Sequence, residues 1–337
     1  MIAQILRKTA RVEDHPLELV ELPTPKPRRG EILIKISVCG VCHTELDEIE
    51  GRLNCKIPVI LGHQIIGRVE QAGEDVSRFN VGDRVGVAWI YYACGRCYHC
   101  RNGMENLCES FKGTGCDVDG GYAEFIVVSE DFAYHIPSIL EDVSAAPLLC
   151  AGAIGYRALK LTGMRNGETI GFYGYGASAH IIHQVVKTMY PESKVYVFTR
   201  RKNDPPSLLA EKLGADWIGV TGETPPSRFH RAIDTTPSGI VVKEALRNLE
   251  KGGRLVINAI RKETPVPEID YSSYLWSERE VKSVANITRR DVQEFLSIAA
   301  RTPLKINVKE FKLSEANEAL LSLKQGKHTG AAVLKIL

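Results

Sequence analysis

The stretch ETIGFYGYGASAHIIHQVVKTMY, residues 168–190, decides the fold of the second half of the chain. It begins with apolar, strand-forming residues, continues with GYGASA and ends with apolar residues at helical spacing. A strand, a glycine turn of the form G-x-G-x-x-A and a helix let backbone N–H groups and the helix dipole face a pyrophosphate. A glycine-rich tight turn without a ligand is the alternative. The stretch therefore predicts a dinucleotide site whose residues are Gly174, Gly176, Ala177, Ser178 and Ala179.

The segments that follow alternate between strand-like and helix-like patterns as far as residue 286. This alternation predicts right-handed βαβ units around a parallel sheet. The second strand, VYVF, ends in Thr199, Arg200 and Arg201, where an NAD site usually has an acidic residue. A hydroxyl and two guanidinium groups suit a ribose 2′-phosphate, so we predict NADP(H) over NAD(H). The alternative is that Arg200 and Arg201 are solvated loop charges.

The first half of the chain shows a different pattern of apolar and polar residues. Residues 1–37 and 65–88 alternate apolar and polar positions between glycine- and proline-rich turns, which is typical of short antiparallel strands. Such closely spaced strands predict a small barrel-like β domain, to which the C-terminal segments return. The fold class is therefore α/β, with a β-rich domain and a doubly wound domain.

Composition excludes several classes of protein. The net charge is +2, and 44% of residues are hydrophobic, as in an ordinary soluble protein. This charge gives no case for nucleic acid or for an anionic membrane surface. No apolar run approaches the ~20 residues of a membrane span, and the N-terminus has no apolar signal core. We expect an intracellular, cytoplasmic protein with neither a nucleic-acid nor a membrane partner.

The nine cysteines all lie in the first 150 residues, and this density without a signal peptide favours metal ligation over disulfides. The segment CGRCYHCRNGMENLC has the spacing C-x2-C-x2-C-x7-C. Four thiolates in one polar loop can close a tetrahedron around a structural zinc ion, which would staple a loop that has no core. The predicted ligands are Cys94, Cys97, Cys100 and Cys108.

A second metal site is predicted around Cys42 and His63, each at a strand end that runs into a turn. Thiolate and imidazole suit zinc, and three protein ligands with an open fourth position make a catalytic site. Cys150, just ahead of a predicted helix, is placed to be the third ligand.

Taken together, these motifs resemble the zinc-dependent medium-chain dehydrogenase/reductase family, and in particular its alcohol dehydrogenases. The matching segments are GVCHTEL (40–46), GHQ (62–64), VGDRVGV (81–87), the four-cysteine lobe, LLCAG (148–152) and the glycine turn. The resemblance implies catalytic zinc on Cys42, His63 and Cys150 and a second, structural zinc on the lobe. It also implies a GroES-like catalytic domain (1–151 and 288–337, with the zinc lobe at 90–112), a Rossmann domain (152–287) and an active site in the cleft between them.

The resemblance further implies reversible hydride transfer between a small alcohol or aldehyde and the nicotinamide cofactor. Thr44 matches the hydroxyl that bonds the substrate oxygen, and His43 and Asp47 are candidates to pass the proton to solvent. An exposed turn carboxylate is the plainer description of Asp47. Two other positions depart from the family pattern, because Gln64 replaces a carboxylate and Glu45 stands where an aspartate orients the zinc-bound histidine.

Trp89 matches an aromatic residue that lines the substrate pocket in several relatives, which would favour small or slender primary alcohols; ordinary core packing is the alternative. A polyol, sugar or cinnamyl-type substrate remains open, as does a catalytically silent nucleotide-binding sensor. Relatives of this length are often homotetramers and sometimes dimers. Cys39 is expected to be a small buried strand residue, and the sequence assigns no role to Cys55 or Cys116.

Overall fold

The computed structural model describes residues 1–336, which form two compact units. The first unit contains Met1–Ala153, Asn286–Ala300 and residues 307–336. The second contains Ile154–Ala285 and Arg301–Ile306. Among the described residues, no helix combines the length and apolar character needed to span a bilayer.

The first unit is built mainly from antiparallel strands. Its strands are β1 (Ile2–Leu6), β2 (Leu17–Glu21), β3 (Glu31–Val41), β4 (Val59–Ile60), β5 (Ile65–Ala72), β6 (Arg84–Val87), β7 (Ile90–Tyr92), β8 (Lys112–Gly113), β9 (Phe125–Ser129), β10 (Ala133–His135), β17 (Val308–Lys312) and β18 (Ala331–Lys335). One sheet has the order β10-β6-β5-β3-β18-β17, with β9 also paired to β3; a second has the order β2-β1-β4, and β7 pairs with β8. The predicted β-rich domain is confirmed.

Strand β3 is the longest of these strands and organises the unit. It pairs with β5, β9 and β18, and most of its side chains are buried. Its residues are mainly β-branched and apolar, which suits a pleated surface covered by neighbouring elements. Cys39 lies in this strand with no exposed surface, as predicted. The C-terminal end of β3 delivers Cys42 to the site described below.

The helices of the first unit are short. They are α1 (His43–Ile49), α2 (Tyr98–Arg101), α3 (Asp142–Ala145), α8 (Arg289–Ala299) and α9 (Ala316–Lys324), while α4 (Ala151–Thr162) begins in the first unit and continues into the second. Single 3₁₀ turns occupy Val12–Asp14, Glu105–Leu107, Glu130–Phe132, Ala146–Leu149 and Leu313–Glu315.

The second unit is a parallel sheet with helices between its strands. Its elements are β11 (Thr169–Tyr173), α5 (Ala177–Met189), β12 (Lys194–Thr199), α6 (Pro205–Lys212), β13 (Trp217–Val220), β14 (Phe229–Asp234), α7 (Ile240–Asn248), β15 (Leu249–Ile257), a π-helical turn (Tyr271–Leu275) and β16 (Glu280–Ser283). The strand order β13-β12-β11-β14-β15-β16 has all neighbours parallel. This arrangement confirms the predicted doubly wound fold.

Strand β11 shows why the sheet is buried on both faces. All five of its residues are buried, which is the pattern of a parallel strand covered on each side. The Tyr173 ring stacks on that of Phe198 from β12 with centroids 4.1 Å apart, and Phe229 of β14 meets both rings edge-on. These rings anchor three neighbouring strands, whose C-terminal ends carry the glycine turn and the loops beside it.

The structure gives a partner to two cysteines to which the sequence assigned no role. Cys55 and Cys116, 61 residues apart in the sequence, form a disulfide bond. The cysteine density favoured metal ligation, and that inference missed this pair because spacing along the chain says nothing about a contact made by folding. The other seven cysteines are free thiols.

Candidate metal centres and nucleotide site

The side chains of Cys42, His63 and Cys150 come together in the first unit. Their ligand atoms all lie within 4.8 Å of one another, and the Cys42 sulfur lies 3.6 Å from Nε2 of His63. Cys42 is the N-cap of α1, His63 lies between β4 and β5, and Cys150 precedes α4. Two thiols and an imidazole at this separation are a donor set for a tetrahedral zinc ion with one position left for another ligand.

Glu45 links two members of this set. Its Oε2 accepts a hydrogen bond from the Cys42 backbone N–H at 2.9 Å, and its Oε1 lies 2.8 Å from Nδ1 of His63. The thiol sulfur of Cys42 in turn accepts from the backbone N–H of Thr44 at 3.4 Å, which completes a capping box at the start of α1. One buried carboxylate therefore contacts both the His63 ring and the backbone of Cys42.

The ionisation of the buried groups follows from this arrangement. Burial opposes charge on His63, but the Glu45 carboxylate outweighs it and raises the pKa of His63 well above its usual range. Burial likewise acts against the Glu45 carboxylate, and His63 nevertheless lowers the pKa of Glu45. The neighbouring Cys150 side chain, followed by burial and Glu45, raises the pKa of the Cys42 thiol. A positive charge beside Cys42, as a bound dication would supply, would therefore be needed to stabilise its thiolate.

Close backbone packing holds His63 in place. Gly62 has φ = +95°, and a Cβ there would lie 2.4 Å from the Tyr122 ring. Gly115 packs so closely that a Cβ on it would lie 2.8 Å from the Gly62 nitrogen. The His63 ring also meets the half-buried Trp89 indole edge-on, with centroids 4.9 Å apart.

The other predicted residues near this site lie on α1. Thr44 is half-buried and His43 is exposed. The description of Asp47 as an exposed turn carboxylate is wrong: Asp47 is 3% exposed, and its Oδ1 accepts a hydrogen bond from Nε of Arg52 at 2.6 Å. Helix α1 turns that side chain inward, and Arg52 folds back over it. Gln64 is also buried, with its side chain against Gly40, where a Cβ would lie 2.7 Å from it.

The four lobe cysteines form a second cluster. Their sulfur atoms lie within 4.8 Å of one another, and those of Cys94 and Cys100 are 4.0 Å apart. Backbone N–H groups of Cys97 and Cys100 donate to the sulfurs of Cys94 and Cys97 at 3.4 and 3.5 Å. Hydrogen bonds from the backbone N–H groups of Arg96 and Cys97 help to lower the pKa of Cys94 to about 6. Four sulfurs so arranged match the closed ligand set of a structural zinc ion.

A salt bridge secures this lobe. Arg289, the first residue of α8, donates to Glu105 of the lobe from Nε at 3.0 Å and from a terminal nitrogen at 2.8 Å. The backbone N–H of Arg289 adds a third bond at 2.6 Å. Both guanidinium nitrogens donate to Oε2 of Glu105 and the backbone N–H donates to Oε1, so charge-assisted hydrogen bonds engage both carboxylate oxygens.

In the second unit, the glycine turn lies at the C-terminal end of β11. Gly174 has φ = +80°, and a Cβ on it would lie 2.7 Å from Oγ1 of Thr235. Gly176 is the N-cap of α5, which then presents Ala177, Ser178 and Ala179 in its first turn. The Asn258 amide donates to Oγ of Ser178 at 3.1 Å. Backbone N–H groups at such a helix start are a ready anion site.

The residues after β12 divide into a buried and an exposed part. Thr199 is buried and its hydroxyl donates to the Arg201 carbonyl at 2.9 Å, so this hydroxyl shapes the turn. Arg200 and Arg201 are exposed. The adjacent Lys202 is paired with Glu223 at 2.6 Å. Two guanidinium groups therefore project from the turn that follows β12.

Sequence reasoning missed a buried ion pair beside the glycine turn. Asp234 ends β14 with no exposed surface, and its Oδ2 lies 2.5 Å from Nζ of Lys262, which also donates to the Thr236 carbonyl at 2.6 Å. Its Oδ1 accepts from the backbone and hydroxyl of Thr236, both at 2.8 Å. The two partners are 28 residues apart and share no local motif, so no pattern in the sequence predicts this pair.

Comparison with known proteins defines the class. Residues 28–138 match the alcohol dehydrogenase GroES-like domain. A probable alcohol dehydrogenase (AdhA) of Mycobacterium tuberculosis is 40% identical over 100% of this chain and 97% of its own length. An alcohol dehydrogenase of Geobacillus stearothermophilus is 37% identical over 95% of this chain and 96% of its own.

Solved structures agree. The alcohol dehydrogenase of the hyperthermophilic archaeon Aeropyrum pernix has a TM-score of 0.87 at 27% identity, covering 100% of both chains. A cobalt- and zinc-bound thermostable alcohol dehydrogenase from Pyrobaculum aerophilum has a TM-score of 0.88 at 25% identity, covering 100% of this chain and 99% of that one. The fold and the cysteine and histidine clusters define a medium-chain dehydrogenase/reductase. The chain belongs to the zinc-type alcohol dehydrogenase family of that class and is an oxidoreductase.

Proposed function

We propose that this protein is a zinc-dependent alcohol dehydrogenase that transfers hydride reversibly between a small primary or secondary alcohol, or the matching aldehyde or ketone, and NADP(H). The observation that carries the proposal is the convergence of Cys42, His63 and Cys150 on one point, with Glu45 behind His63. Three ligands of this type leave a fourth position for an alcohol oxygen. The curated relatives named as alcohol dehydrogenases support the same reaction.

Zinc fits the residues present. Cys42 and Cys150 would offer two thiolates, and His63 would offer Nε2, because its Nδ1 faces Glu45. Zinc bound there would supply a Lewis acid that lowers the pKa of an alcohol and polarises a carbonyl. Glu45 holds the tautomer and the ring orientation of His63, which is the usual role of an acceptor behind a ligating histidine.

The remaining residues of α1 would handle the proton. The Thr44 hydroxyl is half-buried in the first turn after Cys42, where it would accept the hydroxyl proton of the alcohol. His43, which is exposed, and Asp47 are the candidates to pass that proton onward to solvent. Because Asp47 is buried against Arg52, its relay role requires that the carboxylate exchange protons from within this pair.

The cofactor would bind at the second unit. Gly174 and Gly176 allow the backbone to approach a pyrophosphate, and Ala177, Ser178 and Ala179 would present the first turn of α5 to it. Arg200 and Arg201 would hold a 2′-phosphate. Thr199 would contribute by shaping their turn, because its hydroxyl is bonded to the Arg201 carbonyl. These charges favour NADP(H) over NAD(H).

We further propose two zinc ions per chain, the second held by Cys94, Cys97, Cys100 and Cys108. The proposed domains are residues 1–151 with 288–337 for catalysis and 152–287 for the cofactor, in a homotetramer or homodimer. The Trp89 indole against His63 would narrow the space for substrate and favour small alcohols. Polyol, sugar or cinnamyl-type alcohols are the alternatives within this chemistry.

The purified protein should oxidise NADPH in the presence of simple aldehydes and lose this activity in a strong chelator. Cys42→Ser should abolish turnover while NADPH binding, measured by quenching of tryptophan fluorescence, stays unchanged. Cys39→Ser is the matched control, because Cys39 is a free cysteine of the preceding strand and is absent from the ligand cluster. Binding of NADPH without turnover in the wild-type protein would instead favour a catalytically silent nucleotide sensor.

A further inference from the structure

Glu48 is a buried acid with no assigned task. It lies on α1, is 1% exposed, and neither of its carboxylate oxygens has a hydrogen-bond partner among the described residues. A buried carboxyl group without a partner loses the solvation that water would give it, so such a group generally needs a reason to be there. The cysteine pair beside Glu48 supplies such a reason.

The disulfide lies next to this acid. A carboxylate oxygen of Glu48 and the sulfur atoms of Cys55 and Cys116 all lie within 4.8 Å of one another. Cys55 is partly exposed, between the exposed residues Asn54 and Lys56, whereas Cys116 is only 4% exposed. Cys55 is therefore the more accessible partner for an incoming thiol, and Cys116 becomes the buried leaving group.

The free cysteines make the bond chemically significant. Seven other cysteines of this chain are thiols, and zinc ligation requires that such groups stay reduced. Surroundings that keep the other cysteines reduced also contain thiols that can attack the one disulfide of the protein. Disulfides found under such conditions are typically redox-sensing or catalytic rather than permanent.

We propose that Cys55–Cys116 is a reversible thiol–disulfide exchange site for a small dithiol, with Glu48 as the proton donor to the Cys116 sulfur. One thiolate of the dithiol attacks the Cys55 sulfur and forms a mixed disulfide. The Cys55–Cys116 bond breaks, and its electron pair goes to the Cys116 sulfur, which takes the Glu48 proton. The second thiol then closes the dithiol into a cyclic disulfide and releases the Cys55 thiol.

The balance closes on two electrons and two protons. The dithiol loses both and becomes a disulfide, and the protein pair gains both and becomes two thiols. Glu48 recovers a proton from the one that the attacking thiol released, so it acts as a carrier and is unchanged at the end.

Burial explains why a proton donor is needed. A thiolate leaving into a buried position is penalised by the loss of water, so departure is easier when the sulfur is protonated as the bond breaks. Burial, and then the nearby Glu45 carboxylate, raise the pKa of Glu48 well above its usual range. The group therefore keeps its proton at a pH at which an exposed glutamic acid has lost it.

The exchange would change the attachment of the backbone segments that pack beside His63. The disulfide and a hydrogen bond from the Lys56 N–H to the Cys116 carbonyl at 3.0 Å tie the 54–56 segment to the turn at 113–116. In that turn Gly115 packs on Gly62, and Gly113 packs on Trp89. Reduction would remove the covalent tie and lower the melting temperature of the protein.

The test is reduction in dithiothreitol buffers of graded reduced-to-oxidised ratio, with differential alkylation and mass spectrometry to follow Cys55 and Cys116. We expect the pair to interconvert reversibly in the zinc-loaded protein below its melting temperature. A pair that forms no disulfide across the whole series, or that reduces only on global unfolding, would overturn the proposal.

The role of Glu48 is tested by Glu48→Gln, which keeps the shape and removes the proton. At pH 7 this variant should be reduced at least about tenfold more slowly than the wild-type protein. Glu50→Gln is the matched control, because the Glu50 carboxylate is held by Lys324 and Arg52 and is absent from the Glu48 cluster. Equal rates for wild type and Glu48→Gln would overturn the role of Glu48. Zinc content and NADPH oxidation, measured on the same samples, keep this result separate from the proposed dehydrogenase activity.

Discussion

Oε1 of Glu45 lies 2.8 Å from Nδ1 of His63, with both side chains buried, while Oε2 of the same carboxylate holds the backbone N–H of Cys42. One residue of α1 thus contacts the ring of one proposed zinc ligand and the backbone of another. The longer side chain of glutamate, compared with the family's aspartate, reaches His63 from the third position of the helix and closes its capping box at the same time.

Glu45→Ala should weaken zinc binding at the Cys42–His63–Cys150 site by about 10–100-fold, because His63 loses its orienting partner. Chelator competition followed by metal analysis measures this change. Glu50→Gln, at the C-cap of the same helix and away from the ligands, should leave zinc binding unchanged. Wild-type affinity in Glu45→Ala would contradict the positioning role.

Replacing Arg200 and Arg201 together by alanine should raise the KM for NADPH by about 10-fold or more, since hydrogen bonds to charged groups contribute about 1.5–3 kcal/mol each. The KM for NADH should change little. Lys202→Ala is the control, because Lys202 in the same turn is already paired with Glu223. An equal loss for both cofactors, or a wild-type preference for NADH, would refute the proposed 2′-phosphate contact.

Asp47→Asn should slow alcohol oxidation near neutral pH and change the pH profile of kcat if Asp47 relays the proton. The substituted amide would still accept the hydrogen bond that Arg52 donates but could not take up a proton. A purely structural Asp47 predicts the same pH profile at a lower melting temperature. The measurement is kcat from about pH 6 to about pH 10, a range that brackets neutral proton transfer, beside a thermal melt of the same variant.

The sequence predicts some features of this protein and misses others, because only features formed by neighbouring residues leave a pattern along the chain. The parallel sheet and the lobe of Cys94 and its partners follow from periodicity and short spacings, which a sequence displays directly. The Cys55–Cys116 bond, the burial of Asp47 and the isolation of Glu48 depend on which face of α1 packs inward and on segments 61 residues apart. Contacts of that kind are made by the fold and leave no local pattern.

Acid should destabilise the second unit through His183. Burial, followed by the Lys187 charge, lowers the pKa of His183 to about 4, and Tyr175 OH lies 2.5 Å from its Nδ1. In the unfolded chain the pKa returns to about 6.5. Well above this value the His183 side chain is neutral in the folded and in the unfolded state, so it does not make the free energy of unfolding depend on pH there.

Between about pH 6.5 and about pH 4 the unfolded state binds a proton that the folded state does not, so stability falls as the pH falls. The loss attributable to His183 reaches about 2–3 kcal/mol by about pH 4.5, since each unit of pKa difference is worth about 1.4 kcal/mol. His183→Asn should remove this component, which the free energy of unfolding by urea at about pH 7 and about pH 4.5 would measure. An unchanged difference between the two pH values in the variant would show that His183 does not cause it.

The proposed function rests on the zinc content of the protein. Metal analysis of the purified chain should give about two zinc ions per chain, one on Cys42, His63 and Cys150 and one on the four lobe cysteines, by the ligand count of such sites. Cys42→Ser should retain one zinc ion and lose turnover, and Cys97→Ser should also retain one. A wild-type content near zero, or a Cys42→Ser variant that keeps both its zinc and its activity, would contradict the central claim.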